Sequence, residues 1–290
     1  MWGRKLASLM EESLGQKIVL NNMVGAGGAT GTAYVWQAKH DGYTFCTVND
    51  STPNFAVMTG SKELLASNWT PFVAGGSPGV LCVNAASGFK DFTSIFDAAK
   101  QQPDKIKVAS CAGSVWFTEA AVLGKYCGLP LGNVPIAGTQ PAILACVSGE
   151  TSAVVASIGE TADFIKSGKL IPLFVMLAED YDMSGYGIIP SIIKFLPAYK
   201  DYLVLRQYQG FMVPNDTPND VKAALLKAFE AAMKSPEMAE FRSVQYAVFY
   251  NLTGKDALDF AEKSESLSSW LLYDMGLAQH NPEDFGIPKP

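Results

Sequence analysis

The densest cluster of chemically suggestive residues is "GAGGATG", residues 25–31, set between the short apolar run "KIVL" and a helix-like segment. Glycines so placed collect backbone N–H groups around an anion, and the question is which anion. Gly25, Gly27 and Gly31 give G-x-G-x-x-x-G, and Asp50 follows at the distance where an acidic group meets a ribose, so an NAD(P)-binding oxidoreductase is one reading. Against it, the run ends in polar Asn21 and Asn22, and Thr30 stands where the third glycine of the fingerprint belongs. A second pattern, "GGSPG" at residues 75–79, satisfies G-x-S-x-G and would make Ser77 a hydrolase nucleophile. Pro78 argues against that chemistry: the residue after the nucleophile must lend an N–H to the oxyanion, and proline has none. The following "VLCVN" is also strand-like where a nucleophile elbow needs a helix.

A third reading takes several loops together. "GAGGATG", "NDSTPN" (residues 49–54), "SCAGSVW" (residues 110–116) and "AGTQPA" (residues 137–142) follow expected strands, and most precede helices. In open α/β sheets such loops lie at the carboxyl ends of strands, where helix N-termini offer N–H groups and a positive dipole end. All four are rich in Gly, Ser and Thr, and none contains Arg, Lys or His. Any one of them alone is an ordinary turn. Their recurrence points to a site that holds an anion with neutral donors, without a general base, nucleophile, metal or cofactor.

Composition agrees with a small-molecule partner. The 290 residues are 48% hydrophobic with a net charge of −6 and no run of Lys or Arg, which speaks against nucleic acid and against a polybasic membrane patch. No apolar stretch approaches membrane-spanning length, and "MWGRKLASLMEESLGQ" reads as an amphipathic helix instead of an export signal. Five cysteines without CxxC spacing fit neither a disulfide framework nor a zinc site, and most are expected in the core. Cys111 and Cys127 flank an expected helix that would hold them about 18 Å apart, too far to bridge. His40 and His280, the only histidines, are expected on the surface.

The elements that must position these loops follow from periodicity. "KIVL", "YTFCTV", "KIKVAS", "SAVVAS" and "LIPLFVM" read as strands, and helices are expected near 29–39, 91–101, 114–127, 139–148, 160–168, 218–234 and 254–275. This is the βαβ pattern of mostly parallel sheets flanked by helices. Glycine-broken extended stretches near 75–84 and 205–214 look like crossings between domains. They divide the chain into a discontinuous first lobe (1–82 and 212–290) and an inserted second lobe (83–211), an architecture that implies a cleft and a hinge.

At this point the chain resembles the substrate-binding proteins of tripartite tricarboxylate transporters, the Bug receptors. The matching stretches are "LGQKIVLNNMVGAGGATG" with "DGYTF", "PDKIKVASCAGSVW", "VPIAGTQPAILACVSGE", "ASIGETADFIKSGKLIPLFV", "GFMVPNDTP" and "NPEDFGIPKP". The resemblance implies a two-lobed periplasmic-binding-protein fold of type II. It would close by hinge motion on a small organic carboxylate and deliver it, as a monomer in the periplasm, to membrane permease subunits; a sensory role for the same fold is the alternative. By position, the first lobe would supply Gly27, Gly28, Asn49, Asp50, Ser51 and Thr52 to the ligand. The second would supply Ser110, Gly113, Ser114, Val115, Trp116, Gly138 and Thr139.

The chain also departs from the pattern. Most relatives place a signal peptide, a strand and a glycine-rich loop ahead of the helix with which this sequence opens, so the expectation is either a truncated reading frame with weakened or absent binding or another segment that fills the gap. Trp116 and Phe117 stand where the family commonly has Gly and His, so an aromatic facing the cleft could stack on a ring or narrow the pocket. Asp50 beside an anion site repels a second carboxylate, which favours a monocarboxylate, an amino-acid-like ligand or an aromatic acid over citrate. Ser152 replaces a frequent Asp, with local consequences only.

Overall fold

The computed structural model describes residues 1–290. The chain forms two compact units, Met1–Gly76 with Tyr208–Pro290 and, inserted between them in sequence, Ser77–Gln207. Residues 77–82, expected in the first lobe, belong to the second unit because they open a strand laddered on that unit's sheet; residues 208–211 belong to the first for the same reason.

The first unit begins with α1 (Trp2–Leu14), α2 (Ala29–Gln37), β1 (Cys46–Asn49), α3 (Phe55–Thr59) and β2 (Trp69–Gly76). The chain leaves for the second unit through β3 (Gly79–Asn84), α4 (Phe92–Gln101), β4 (Lys107–Cys111), α5 (Val115–Lys125), β5 (Gly132–Ile136) and α6 (Thr139–Val147). There follow β6 (Ala153–Ser157), α7 (Ile158–Lys166), β7 (Leu170–Val175) and the hairpin β8 (Tyr181–Met183) and β9 (Gly187–Ile189). It returns through β10 (Gln209–Pro214), α8 (Asn219–Lys234), α9 (Pro236–Val244), β11 (Val248–Leu252) and α10 (Gly254–Asp274).

The second unit has the sheet order β5-β4-β6-β3-β7, with β5, β4 and β6 mutually parallel and β3 antiparallel to both its neighbours. Every residue of β3 and β6 is buried, as expected of strands covered on both faces. The first unit differs from the expected parallel sheet: its order is β1-β10-β2-β11 and each ladder is antiparallel. "KIVL" forms no strand. No neighbour ladders with it; Ile18 N–H donates to Glu11 Oε1 at 2.8 Å, and Val19 is 81% exposed. Without that strand the βαβ unit read around "GAGGATG" supplies no parallel pair, and strand direction is set by the crossings β2 and β10.

Packing of the first unit starts from α1, which buries Trp2, Leu6 and Met10 at four-residue spacing against Phe72, Phe211 and Phe229. Phe72 and Phe211, cross-strand neighbours on β2 and β10, stack with ring centroids 4.5 Å apart. Each such ring contributes on the order of 2–3 kcal/mol through burial. On α10 the nine residues from Ser264 to Leu272 are all buried, so this helix is an internal rod and its serines need partners. Several partners lie in the loop after β1, described below.

Candidate functional site

Helix α1 opens the chain without a capping side chain or first-turn acid, and α8 and α10 lack a capping side chain but carry Asp220 and Asp256 in their first turns; among the other helices two kinds of N-terminus can be told apart. Helices α4, α7 and α9 satisfy their own first turns: Asp91 and Ser94 form a capping box, Ser157 accepts from Glu160 N–H at 3.2 Å, and Ser235 accepts from Met238 N–H at 3.1 Å. Helices α2, α3, α5 and α6 have neither a capping side chain nor an acidic residue in the first turn. These four follow the four Gly, Ser and Thr loops singled out in the sequence. Helices α2 and α3 run on from short 3-10 turns in which Gly28 N–H donates to the Gly25 carbonyl, Ala29 N–H to Ala26, Asn54 N–H to Ser51 and Phe55 N–H to Thr52, whereas α5 and α6 start with first-turn N–H groups and dipole ends that meet no internal anion.

In the first unit the glycine-rich loop runs through four consecutive positive φ values, at Gly25 (136°), Ala26 (45°), Gly27 (66°) and Gly28 (117°). A Cβ at Gly25 would lie 2.4 Å from Thr30 Oγ1, so only glycine fits where the loop folds onto its helix. The strand expected before this loop is absent, which removes the strand–turn–helix context that a dinucleotide reading of Gly25, Gly27 and Gly31 requires. Gly28 packs on the ring of Phe55, bringing this loop against the second one, residues 49–54.

That second loop is built from its own side chains. Asn49 N–H donates to Thr52 Oγ1 at 3.0 Å, Ser51 N–H to Asn49 Oδ1 at 3.0 Å, and Thr52 Oγ1 to Asn49 Oδ1 at 3.4 Å. Asn49 and Thr52 therefore shape the turn, while Asp50 and Ser51, both half-buried, sit at its apex. From below, Ser268 on α10 donates to Asn54 Oδ1 at 2.6 Å and Ser269 to the Pro53 carbonyl at 3.2 Å. These two serines were not singled out by sequence; a serine-rich stretch inside an otherwise apolar helix is the signal that could have found them.

Behind the loop lies a cavity of ≈20 Å³ lined by Val48, Thr52, Pro53, Trp69, Tyr208 and neighbouring apolar side chains. Tyr208 is fully buried, and its phenol is pushed well up by burial and by the fields of Asp50 and Glu265. Burial also raises Glu265 to about 7, although Ala66 N–H donates to its Oε1 at 2.9 Å.

In the second unit the parallel strands β4 and β5 deliver their loops to the same sheet edge, and Ala112 N–H donates to the Ile136 carbonyl at 2.9 Å, joining them. Gly113 (φ 73°) and Gly138 (φ 105°) make the turns into α5 and α6, and Thr139 stands half-buried at the start of α6. Ser114 Oγ donates to the Cys111 carbonyl at 2.7 Å. Three residues expected to line the site are turned inward. Ser110 is 0% exposed and donates to Asn133 Oδ1 at 2.6 Å, and Asn133 Nδ2 in turn donates to the Phe117 carbonyl at 3.2 Å. Ser110 thus ties β4, β5 and the first turn of α5 together and is a positioning residue. Val115 and Trp116 are 7% and 3% exposed. Trp116 occupies space left by Gly79, whose Cβ would lie 3.0 Å from Trp116 Cζ3 and 2.7 Å from Glu119 Oε2; the half-buried ring in this turn is Phe117.

Other groups with chemical potential are engaged elsewhere. Ser77, 5% exposed, accepts Gly159 N–H at 2.9 Å through its hydroxyl and is followed by Pro78 and strand β3, so the nucleophile-elbow geometry is absent there. All five cysteines are free. Cys82 and Cys146 are buried, whereas Cys46, Cys111 and Cys127 are only partly so, fewer core thiols than expected, because the last three sit at strand and helix ends. Burial holds the Cys46 and Cys146 thiols up at about 12 and Cys127 at about 11, unreactive at neutral pH. His40, expected at the surface, is half-buried and pairs with Asp216 at 2.6 Å. No helix is long and apolar enough to cross a membrane.

Comparison with known proteins matches this arrangement to one family. The family model described as "Tripartite tricarboxylate transporter family receptor" covers residues 3–277. A protein of Pseudomonas sp. (strain P51), encoded in its tcbD-tcbE intergenic region, is 26% identical over 243 residues, spanning 82% of this chain and 70% of that protein. BugT of Bordetella pertussis is 23% identical over 249 residues, spanning 84% of this chain and 75% of BugT. Among solved structures, a TctC solute-binding protein from Polaromonas has a TM-score of 0.78 at 21% identity, covering 94% of this chain and 92% of that one. An R. palustris protein solved with adipate has a TM-score of 0.77 at 20% identity, covering 95% and 92%. These likenesses establish the two-lobed fold of periplasmic binding proteins. With the family model spanning nearly its whole length, the chain belongs to the tripartite tricarboxylate transporter receptor family.

Proposed function

We propose that this receptor captures a small organic carboxylate through backbone N–H groups and hydroxyls, and hands it to the permease subunits of a tripartite tricarboxylate-type transporter in the cell envelope. The observation that carries this reading is the pair of helices α5 and α6 in the second unit, which begin without a capping side chain or acid and behind loops free of Lys, Arg and His. A carboxylate supplies the missing acceptor and is stabilised by the helix dipoles. Related proteins solved with malate and with adipate agree with a carboxylate ligand.

Gly27 and Ser51 are the first unit's donors in this reading, with Gly28, whose N–H donates to the Gly25 carbonyl, and Asn49 and Thr52 shaping their loops. Gly113, Gly138 and Thr139 are those of the second, with Ser114, whose N–H and Oγ both donate to the Cys111 carbonyl, shaping the turn. In α6 only Thr139 and Gln140 can offer first-turn N–H groups, because Pro141 has none. No covalent step is needed: the ligand's differential affinity for a closed state drives capture, and the permease reads that state. Calorimetric titration with small mono- and dicarboxylates tests the reading. Saturable one-to-one binding is expected; absence of heat with every carboxylate, in a protein that melts cooperatively, would overturn it.

A further inference from the structure

Helix α10 carries one carboxyl into the interior of the first unit. Glu265 is 6% exposed, and its Oε1 accepts Ala66 N–H at 2.9 Å. Ser268 and Ser269, three and four residues further on, share its face of the helix and hold the loop at residues 49–54 through Asn54 Oδ1 and the Pro53 carbonyl. Ser269 is therefore about one turn, roughly 6 Å along the axis, from Glu265. Thr52 and Pro53 of that loop line the same cavity as Ala66, the partner of Glu265. Burial is the largest influence on the Glu265 carboxyl and holds it up at about 7; Ala66 N–H acts to lower it, and Glu262, three residues back on α10, adds a like field. Just ahead of β10, the neutral phenol of Tyr208 lies in the field of Glu265 and of Asp50, and β2 contributes no ionisable residue. Lys62 and Glu63, ahead of Ala66, and Glu283, Asp284 and Lys289 of the C-terminal segment are exposed.

We infer that Glu265 makes capture by this receptor proton-linked: its neutral carboxyl accompanies the bound carboxylate, and its ionisation weakens binding. The inference rests on the carboxylate reading above, with the loop at 49–54 among the donors. A ligand anion held at that loop brings a second negative charge to the same buried surroundings, and a like charge disfavours an ionised carboxyl. The coupling is reciprocal: whatever the ligand does to the proton affinity of Glu265, the proton does to the affinity for ligand. At an effective dielectric of about 20 and a separation of about 10 Å it is on the order of tenfold. Ligand raises the carboxyl above its free-state position near 7, so affinity is highest below that pH, falls as pH rises through it, and levels off in alkali.

The test is calorimetric titration of the full chain with monocarboxylates and α,ω-dicarboxylates of three to six carbons at pH 6.5, 7 and 8.5, repeated at pH 7 in buffers of different ionisation enthalpy. For a carboxylate that binds, native affinity should fall at least threefold between pH 6.5 and 8.5, and binding at pH 7 should take up a fraction of a proton. Glu265→Gln should keep the affinity of the acid form, vary less than twofold over the same range and lose most of that uptake. Melting curves establish folding, and Glu265→Met, which also removes the titration, serves if the Gln variant does not fold. A native affinity that does not change with pH, or a change that survives undiminished in these variants, overturns the inference while leaving the carboxylate reading standing. If no carboxylate binds at any pH in a protein that melts cooperatively, the reading beneath falls and the inference falls with it.

Discussion

Gly25 holds φ at 136° with Thr30 Oγ1 2.4 Å from where a Cβ would stand, so Gly25→Ala must either open the loop or displace Thr30 from the first turn of α2. We expect a loss of about 1–3 kcal/mol of stability and at least a tenfold loss of carboxylate affinity, measured by denaturation and titration. Glu265 makes a prediction of a different kind. Its carboxyl is held near 7 by burial against an ordinary value of 4.5, so between those pH values the folded chain binds more protons than the unfolded one. Its contribution is therefore fully present below about pH 4.5, declines as pH rises toward 7, and is flat above. Glu265→Gln keeps an acceptor for Ala66 N–H and removes the titration; it should stabilise the protein by about 3 kcal/mol at pH 8 and leave it little changed at pH 4. A Tm difference that did not grow with pH would contradict this. Residue roles were only partly legible in sequence. Trp116 could be read as facing outward because the first turn of a helix permits either direction, and it turns inward because Gly79, distant in sequence, leaves room. The family resemblance implies a ligand-donor role for Ser110, but its hydroxyl donates to Asn133 Oδ1 instead.

At the scale of elements, the helices were readable because their information is local. The expected helix near 139–148 is α6, Thr139–Val147, and that near 254–275 is α10, Gly254–Asp274. "KIVL" failed as a strand, and the first unit's sheet direction was misread, because a ladder depends on a distant partner that no local pattern names. The short α9 and β11 after α8 went unnoticed for lack of a clear period. The uncapped helices carry the element-level prediction. An acid added to the first turn of α6, Gln140→Glu, should stabilise the helix by about 0.3–1 kcal/mol through the dipole. The same change should weaken carboxylate binding about tenfold, since it places a competing charge on the proposed donors. Opposite signs in melting and in titration distinguish a ligand-binding helix end from an ordinary one; a stabilised variant with unchanged affinity would show that α6 does not meet the ligand.

At the scale of the whole molecule, the chain passes between its units twice, and Ser77 N–H donates to Gln207 Oε1 at 3.0 Å, tying one crossing to the other. A paired crossing of this kind suits a hinge, and if donors from both units act on one carboxylate, small-angle scattering should show a smaller radius of gyration at saturating ligand. An unchanged radius under the same conditions would contradict capture by closure. The most direct measurement of the central claim is a thermal-shift titration of the purified chain with small carboxylates, amino acids and NAD. The account predicts that one carboxylate class raises the cooperative transition in a saturable way, by about 2.7 kcal/mol of added stability at a ligand concentration a hundredfold above Kd. A transition indifferent to every carboxylate, or raised by NAD alone, would contradict it.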